Sequence, residues 1–95
     1  MQRFNEHQNR LWRSMLQSIE EFRYGKLRYD ELVGRLEGAL DAGEFKDKQL
    51  VNRWYDLWTP LEIARATRGS SVEQVEVANY LEAMKKFMES VLERD

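Results

Sequence analysis

Apolar residues recur along the chain at intervals of three and four, and this spacing is clearest between residues 50 and 64. The positions that follow it would share one face of a helix, and they are Leu50, Trp54, Leu57, Leu61 and Ala64. A second row of mixed character runs beside them, and its members are Val51, Tyr55, Trp58, Glu62 and Arg65. We expect the first row to lie in the core and the second row to lie at its edge.

The same spacing predicts helices over residues 3–24, 29–42, 47–67 and 71–93. Gly25, Gly43 and Gly69 fall in the three gaps between these segments. The gaps are short, so successive helices should be antiparallel neighbours. No alternating run is long enough to favour a strand. The pattern therefore predicts a single all-α domain over residues 1–95, folded as an up-down-up-down four-helix bundle.

Pro60 lies inside the third predicted helix, where proline removes one backbone hydrogen bond and clashes with the carbonyl four residues earlier. One interpretation is a kinked but continuous helix. The other is a break, because Thr59, Pro60 and Glu62 also match the start of a new helix with a capping box. The apolar row continues unbroken past Pro60, and we therefore predict one helix kinked at this residue.

Two glycines, Gly34 and Gly38, lie inside the second predicted helix. Each costs about 1 kcal/mol relative to alanine in a helix interior. Being four residues apart, they share one face and would allow another backbone to approach closely. Tight packing within the bundle, simple tolerance and a dimer contact are all consistent with this pattern.

Composition and charge exclude several classes of function. The net charge is −2, and no basic stripe typical of a nucleic-acid binder is present. The chain has no cysteine, which removes disulfides and thiolate chemistry and fits a cytoplasmic location. Apolar residues never run more than two in succession, so we expect neither a membrane-spanning helix nor a signal-peptide core.

The residue types needed for catalysis or metal binding are sparse. The single histidine, His7, stands near the amino terminus, and Phe4 rather than a glutamate precedes it by three residues, unlike a di-iron motif. Asp41, Glu44 and Asp47 do not have the spacing of a calcium loop. We therefore predict no enzyme, no metal and no cofactor.

A carboxylate-based enzyme remains a remote hypothesis, with Glu62 as its candidate acid or base. An apolar neighbour such as Trp58, one turn away, could raise the pKa of Glu62. The alternative is that Glu62 caps Thr59 or pairs with Arg65.

Protein binding is the function that the remaining surface favours. Tryptophan, tyrosine and arginine supply most interface anchors, and the second row of helix three places Tyr55, Trp58, Glu62 and Arg65 on one face. We predict these four residues as the binding site of another protein, unless Trp58 instead closes the core. The alternative function is a structural homodimer formed through Gly34 and Gly38 or through helix four.

A resemblance to small all-helical bacterial proteins rests on two motifs that span about half of the chain. In those proteins a Leu-Val-x-x-Leu-Glu helix precedes an aromatic-x-x-x-Trp-x-x-Leu-Glu helix. The matching residues here are the run 25–33, Leu36-Glu37, Trp54, Trp58, Leu61-Glu62, Ala64 and Ala66. The chain departs from the pattern at Arg28, where a capping serine or threonine is expected, and at Pro60. The resemblance implies a bacterial, cytoplasmic origin, and it transfers no functional residue. An adaptor, or an inhibitor of the immunity type, is the kind of protein that the binding hypothesis favours.

Overall fold

A computed structural model describes residues 4–93 of the 95-residue chain, and the described part is all-α, with four α-helices and no strand. The helices are α1 (Glu6–Arg23), α2 (Tyr29–Gly43), α3 (Lys48–Arg68) and α4 (Gln74–Glu93), and a short 3₁₀ turn (Gly69–Ser71) follows α3. The predicted start of the first helix at residue 3 and the last two residues of the predicted domain lie outside the described residues.

Local capping explains where α1 begins and ends. Asn5 accepts a hydrogen bond from the Gln8 N–H at 2.7 Å, and the Gln8 side chain accepts one from the Asn5 N–H at 3.1 Å. This reciprocal box satisfies two backbone donors at the helix start. At the other end, Gly25 has a φ of 76°, and the N–H of Lys26 donates back to the Glu21 carbonyl at 2.8 Å. This geometry is a Schellman ending, which glycine adopts without steric cost.

The end of α2 lies one residue beyond the predicted boundary, which placed Gly43 in the gap after the helix. The left-handed residue is Glu44, with a φ of 48°, and Gly43 is the last residue of the helix. Gly43 is required for a different reason, because a Cβ there would lie 2.2 Å from Cε2 of Phe45. The glycine therefore makes room for the Phe45 ring. The centroid of this ring lies 4.7 Å from that of Trp12 and 5.6 Å from that of Phe4.

Each helix packs against the helices before and after it in the chain, and α4 also packs against α1. The Gln8 side chain near the start of α1 donates to the Gly43 carbonyl at the end of α2. The Gln74 side chain at the start of α4 donates to the Phe22 carbonyl near the end of α1. The largest fully buried side chains come from all four helices, and they include Trp12, Tyr29, Trp54 and Met84.

The buried face of α3 differs from the predicted row. Leu50, Trp54 and Leu61 are buried as expected, but the fourth buried residue is Trp58 rather than Leu57. Leu57 and Ala64 are only half-buried. The core face of α3 is thus rotated toward α2, because Trp58 is large enough to fill the seam between these two helices.

Helix α3 continues through Pro60 as one element, so the alternative with a break at Thr59 is wrong. The Thr59 hydroxyl does not cap a new helix and instead donates to the Tyr55 carbonyl at 2.7 Å. The two sides of Pro60 therefore present one continuous surface. Within the described part of the chain, no helix is both long enough and apolar enough to cross a bilayer.

Candidate functional site

Trp58 seals the seam between α2 and α3. Only 9% of its surface is exposed, and its indole N–H donates to the Val33 carbonyl of α2 at 3.2 Å. The ring also stacks on Trp54, with centroids 5.7 Å apart and planes inclined by 19°. The structure therefore places Trp58 in the core with one edge reaching the surface, and it is not an exposed anchor.

Tyr55 lies half-buried one turn before Trp58, and their rings meet edge to face at 5.7 Å. Burial raises the pKa of the Tyr55 phenol, and the nearby carboxylates of Asp41 and Glu37 raise it further, so the hydroxyl stays protonated. Tyr55 lines a shallow depression of about 150 Å³ with Asp41 and Val51. The other three predicted residues, Trp58, Glu62 and Arg65, line a different cleft.

Glu62 and Arg65 form a two-point ion pair, in which the guanidinium donates to both carboxylate oxygens at 2.6 and 2.7 Å. These hydrogen bonds hold the pKa of Glu62 below its ordinary value, and burial opposes the shift only in part. The expectation that Trp58 would raise this pKa is therefore wrong. An ionised, paired carboxylate is poorly suited to donate a proton or to accept one near neutral pH.

A cleft of about 330 Å³ opens between α2 and α3 above the Trp58 ring. Its lining residues are Asp30, Val33, Gly34, Glu37, Trp58, Glu62 and Arg65. A Cβ built on Gly34 or on Gly38 would meet no atom of a neighbouring element within 4 Å, so packing among residues 4–93 explains neither glycine. The structure thus brings Trp58, Glu62 and Arg65 together and adds the bare backbone of α2 as the opposite wall.

Tyr29, the first residue of α2, lies close enough to Glu62 and Arg65 for their charges to act on its phenol, and it was not predicted as a site residue. It is 1% exposed, and its hydroxyl donates to the Leu61 carbonyl of α3 at 2.7 Å. Burial raises the pKa of Tyr29 to about 12, and the charge of Glu62 adds to this effect. The signal that could have suggested this role is a tyrosine at the start of an apolar stripe, since a buried phenol needs an acceptor.

The other positions considered for chemistry do not form a site. His7 is exposed. Asp47 serves as the cap of α3, accepting a hydrogen bond from the Leu50 N–H at 3.1 Å. Among residues 4–93, no three histidine or carboxylate side chains are grouped so that they could hold a metal ion.

Comparison of the chain with protein-family models, with curated proteins and with solved structures found no significant match.

Proposed function

We propose that this protein is a non-catalytic interaction module that binds another protein through the α2–α3 face. This face comprises Asp30, Gly34, Glu37, Gly38, Tyr55, Glu62 and Arg65, with the edge of Trp58 as its floor. The observation that carries the proposal is the open cleft at Gly34, where bare helix backbone lies next to an aromatic edge and a fixed pair of charges.

Gly34 and Gly38 support a binding role, because each destabilises α2 and neither is needed for packing among the described residues. Each lowers the intrinsic stability of α2 by about 1 kcal/mol relative to alanine. A Cβ added to either glycine would meet no atom of a neighbouring element within 4 Å in the described part of the chain. A partner backbone that approaches the helix closely would give both residues a purpose.

The carboxylates of the face favour recognition over catalysis. Glu62 is held ionised by Arg65, while Asp30 accepts a hydrogen bond from the Ser70 hydroxyl, which lowers the pKa of Asp30. Charges held in place in this way are suited to orienting a partner. A bacterial, cytoplasmic adaptor, or an inhibitor of the immunity type, would need a surface of this kind.

The proposal assumes a particular arrangement of the helices. We infer that they alternate in direction as an up-down-up-down bundle, because the start of α1 contacts the end of α2, the start of α2 contacts the second half of α3, and the start of α4 contacts the end of α1. We also infer that α3 bends at Pro60, since the carbonyl of Asp56 loses its amide partner there. Such a bend would tilt Glu62 and Arg65 relative to Tyr55 and shape the face.

The experiment is affinity purification from the native cell with two matched variants, followed by mass spectrometry. Gly34→Leu places a side chain in open space on the face, so it should block a partner without disturbing the fold. Asn79→Leu places the same leucine side chain at an exposed position of α4, away from the face, and controls for an added apolar surface residue. We expect a protein that the original chain and Asn79→Leu capture and that Gly34→Leu loses. Equal capture by both variants would overturn the proposal.

Trp58→Ala is not a suitable test of binding. The ring is buried against Trp54 and Val33, so its removal would lower the stability of the fold at the same time as it changed the face.

The open glycines also support the second candidate function, self-association as a homodimer. Two copies of α2 could cross at Gly34 and Gly38 in a symmetric contact. Analytical ultracentrifugation tests this directly. A dimer that Gly34→Leu converts to a monomer would favour this candidate, whereas a monomer at high micromolar concentration would eliminate it.

A further inference from the structure

A second groove runs between α3 and α4, on the other side of α3 from the α2–α3 face. Its volume is about 610 Å³. We define the α3–α4 groove by Leu50, Arg53, Leu57, Ala83, Lys86 and Phe87, which line it with Val91 and Ser90 at one end. Leu57 and Phe87 are only half-buried, so the floor is apolar and still reaches solvent.

The charges of this groove are unbalanced. Arg53 on α3 and Lys86 on α4 make no ion pair within residues 4–93. The one acidic residue in the lining, Asp47, is engaged as the cap of α3. The groove therefore presents two cations on opposite walls of an apolar floor.

The α1–α4 seam is different, because two of its cations pair with carboxylates. Arg23 of α1 pairs with Glu82 of α4 at 3.0 Å, and Lys85 pairs with Glu20 at 3.6 Å. Lys86 is the direct neighbour of Lys85 but lines the groove, and its charge acts on Glu82 without forming an ion pair within residues 4–93. An external carboxylate could supply the missing charge.

We propose that the α3–α4 groove binds an acidic amphipathic helix of a partner protein, as a site distinct from the α2–α3 face. The apolar side of such a helix would lie on Leu57 and Phe87, and its flanking carboxylates would pair with Arg53 and Lys86. Leu50 and Leu57 are seven residues apart, which spans about 10 Å, or two turns of a docked helix.

An open groove favours a helix over a free fatty acid. A small ligand is normally enclosed over most of its surface, but this groove leaves one side uncovered along its length. A helix needs only one apolar face covered, and its polar face can remain in water. Ala83 and Ser90 make the α4 wall low enough for a helix to lie against it.

The test uses a designed 18-residue peptide with leucines at helical spacing and flanking glutamates, added to the full chain. A matched peptide carries glutamine in place of each glutamate, and dodecanoate serves as the lipid probe. Amide NMR spectra report where each probe binds. We expect the acidic peptide to shift the amide signals of residues 50–57 and 83–91 and the glutamine peptide to bind more weakly.

Two double variants with the same change in net charge distinguish binding in the groove from general electrostatic attraction of the acidic peptide to the protein. Arg53→Glu with Lys86→Glu should weaken the acidic peptide by about fivefold to tenfold, as expected for two partly exposed ion pairs. Arg10→Glu with Arg13→Glu changes the net charge equally at exposed positions of α1 and should weaken it far less. Circular dichroism confirms that both variants fold.

Three results would overturn the proposal. The acidic and glutamine peptides could bind equally, the two double variants could weaken binding equally, or dodecanoate could shift the groove signals while the acidic peptide does not. Ala83→Leu fills the groove without removing a charge, and retained peptide binding by that folded variant would also contradict it.

Discussion

The two sides of α3 are closed in different ways. Toward α2, Trp58 fills the seam, donates to the Val33 carbonyl and leaves only 9% of its surface exposed. Toward α4, the corresponding edge carries Leu57 and Arg53 against Ala83, and a groove of about 610 Å³ remains. One helix therefore has one side sealed by a large aromatic residue and one side left open.

The difference shows how a small bundle can separate stability from binding. The α2–α3 seam is joined by two side-chain hydrogen bonds to backbone carbonyls, from Trp58 and from Tyr29. Such bonds fix the position of one helix against the other. The α2–α3 face therefore lies over a closed seam, with its hydrophobic core covered. In the α3–α4 groove, half-buried core residues such as Leu57 and Phe87 are partly exposed to solvent.

The largest expected loss of stability comes from removing the Trp58 side chain, which closes the α2–α3 seam. Trp58→Ala should lower the free energy of unfolding by about 3–5 kcal/mol, because it removes a buried ring and leaves a cavity. Leu57→Ala, on the open side of the same helix, should cost only about 1–2 kcal/mol, since that side chain is half-buried. Urea denaturation followed by circular dichroism measures both values. Equal losses, or a larger loss from Leu57→Ala, would contradict the comparison.

The second-largest effect should be a loss of stability at alkaline pH, through Tyr29 at the α2–α3 seam. The pKa of Tyr29 is raised from 10.0 to about 12 in the folded chain, so the folded state keeps a proton that the unfolded state loses. The contribution of Tyr29 to the free energy of unfolding is therefore fully present below pH 10. It is lost as the pH rises toward 12, and the loss is about 2–3 kcal/mol for a shift of this size.

Tyr29→Phe is the control for this pH dependence. It should lose about 1 kcal/mol at neutral pH, because one buried hydrogen bond to the Leu61 carbonyl disappears. It should also reduce the loss of stability between pH 10 and 12. Thermal melts across this range measure the effect, and an unchanged alkaline slope in Tyr29→Phe would show that Tyr29 is not its source.

Filling the open side should have a smaller effect of opposite sign. Ala83→Leu adds apolar surface next to Leu57 and Phe87 in a groove that has room for it. We expect the free energy of unfolding to rise by about 0.5–1 kcal/mol. A rise in melting temperature would support this account, while a fall would show that α4 packs more tightly on α3 than the groove indicates.

The smallest effect concerns the ion pair on the α2–α3 face. Arg65 holds the pKa of Glu62 below its ordinary value of 4.5, so this contribution to stability is present above that pH and is lost as the pH falls further. Glu62→Gln should therefore flatten the acid dependence of stability below pH 4.5 without unfolding the chain at neutral pH. An identical acid profile in the variant would mean that the pair contributes nothing measurable.

The helices follow from the sequence because their apolar spacing is strong and local. The stripe of α4, at Val77, Leu81, Met84, Met88 and Val91, is buried at every predicted position. The choice of Leu57 over Trp58 as a core residue was wrong, because both positions fit intervals of three and four between Trp54 and Leu61. Which of them is buried depends on how closely α2 and α4 approach α3, and this is a property of the assembled bundle.

Residues between helices were harder to assign because periodicity carries no information there. Leu27 and Val72 lie in connections but are buried, and the half-buried Phe45 packs against the core. The contact between Gly43 and Phe45 likewise depends on a turn whose left-handed residue is a glutamate. On the candidate face, the pairing of Glu62 with Arg65 and the burial of Trp58 were both among the alternatives from the sequence, but the contact of Trp58 with α2 was not predicted.

Photo-crosslinking in the native cell tests the central claim, that the α2–α3 face binds another protein. The photoreactive residue p-benzoylphenylalanine is placed at position 38 in one variant and at position 79 in another, since both positions are exposed and lie on different helices. We predict a crosslink to a different protein from position 38 and none from position 79. No crosslink from position 38, or equal crosslinks from both positions, would contradict the account.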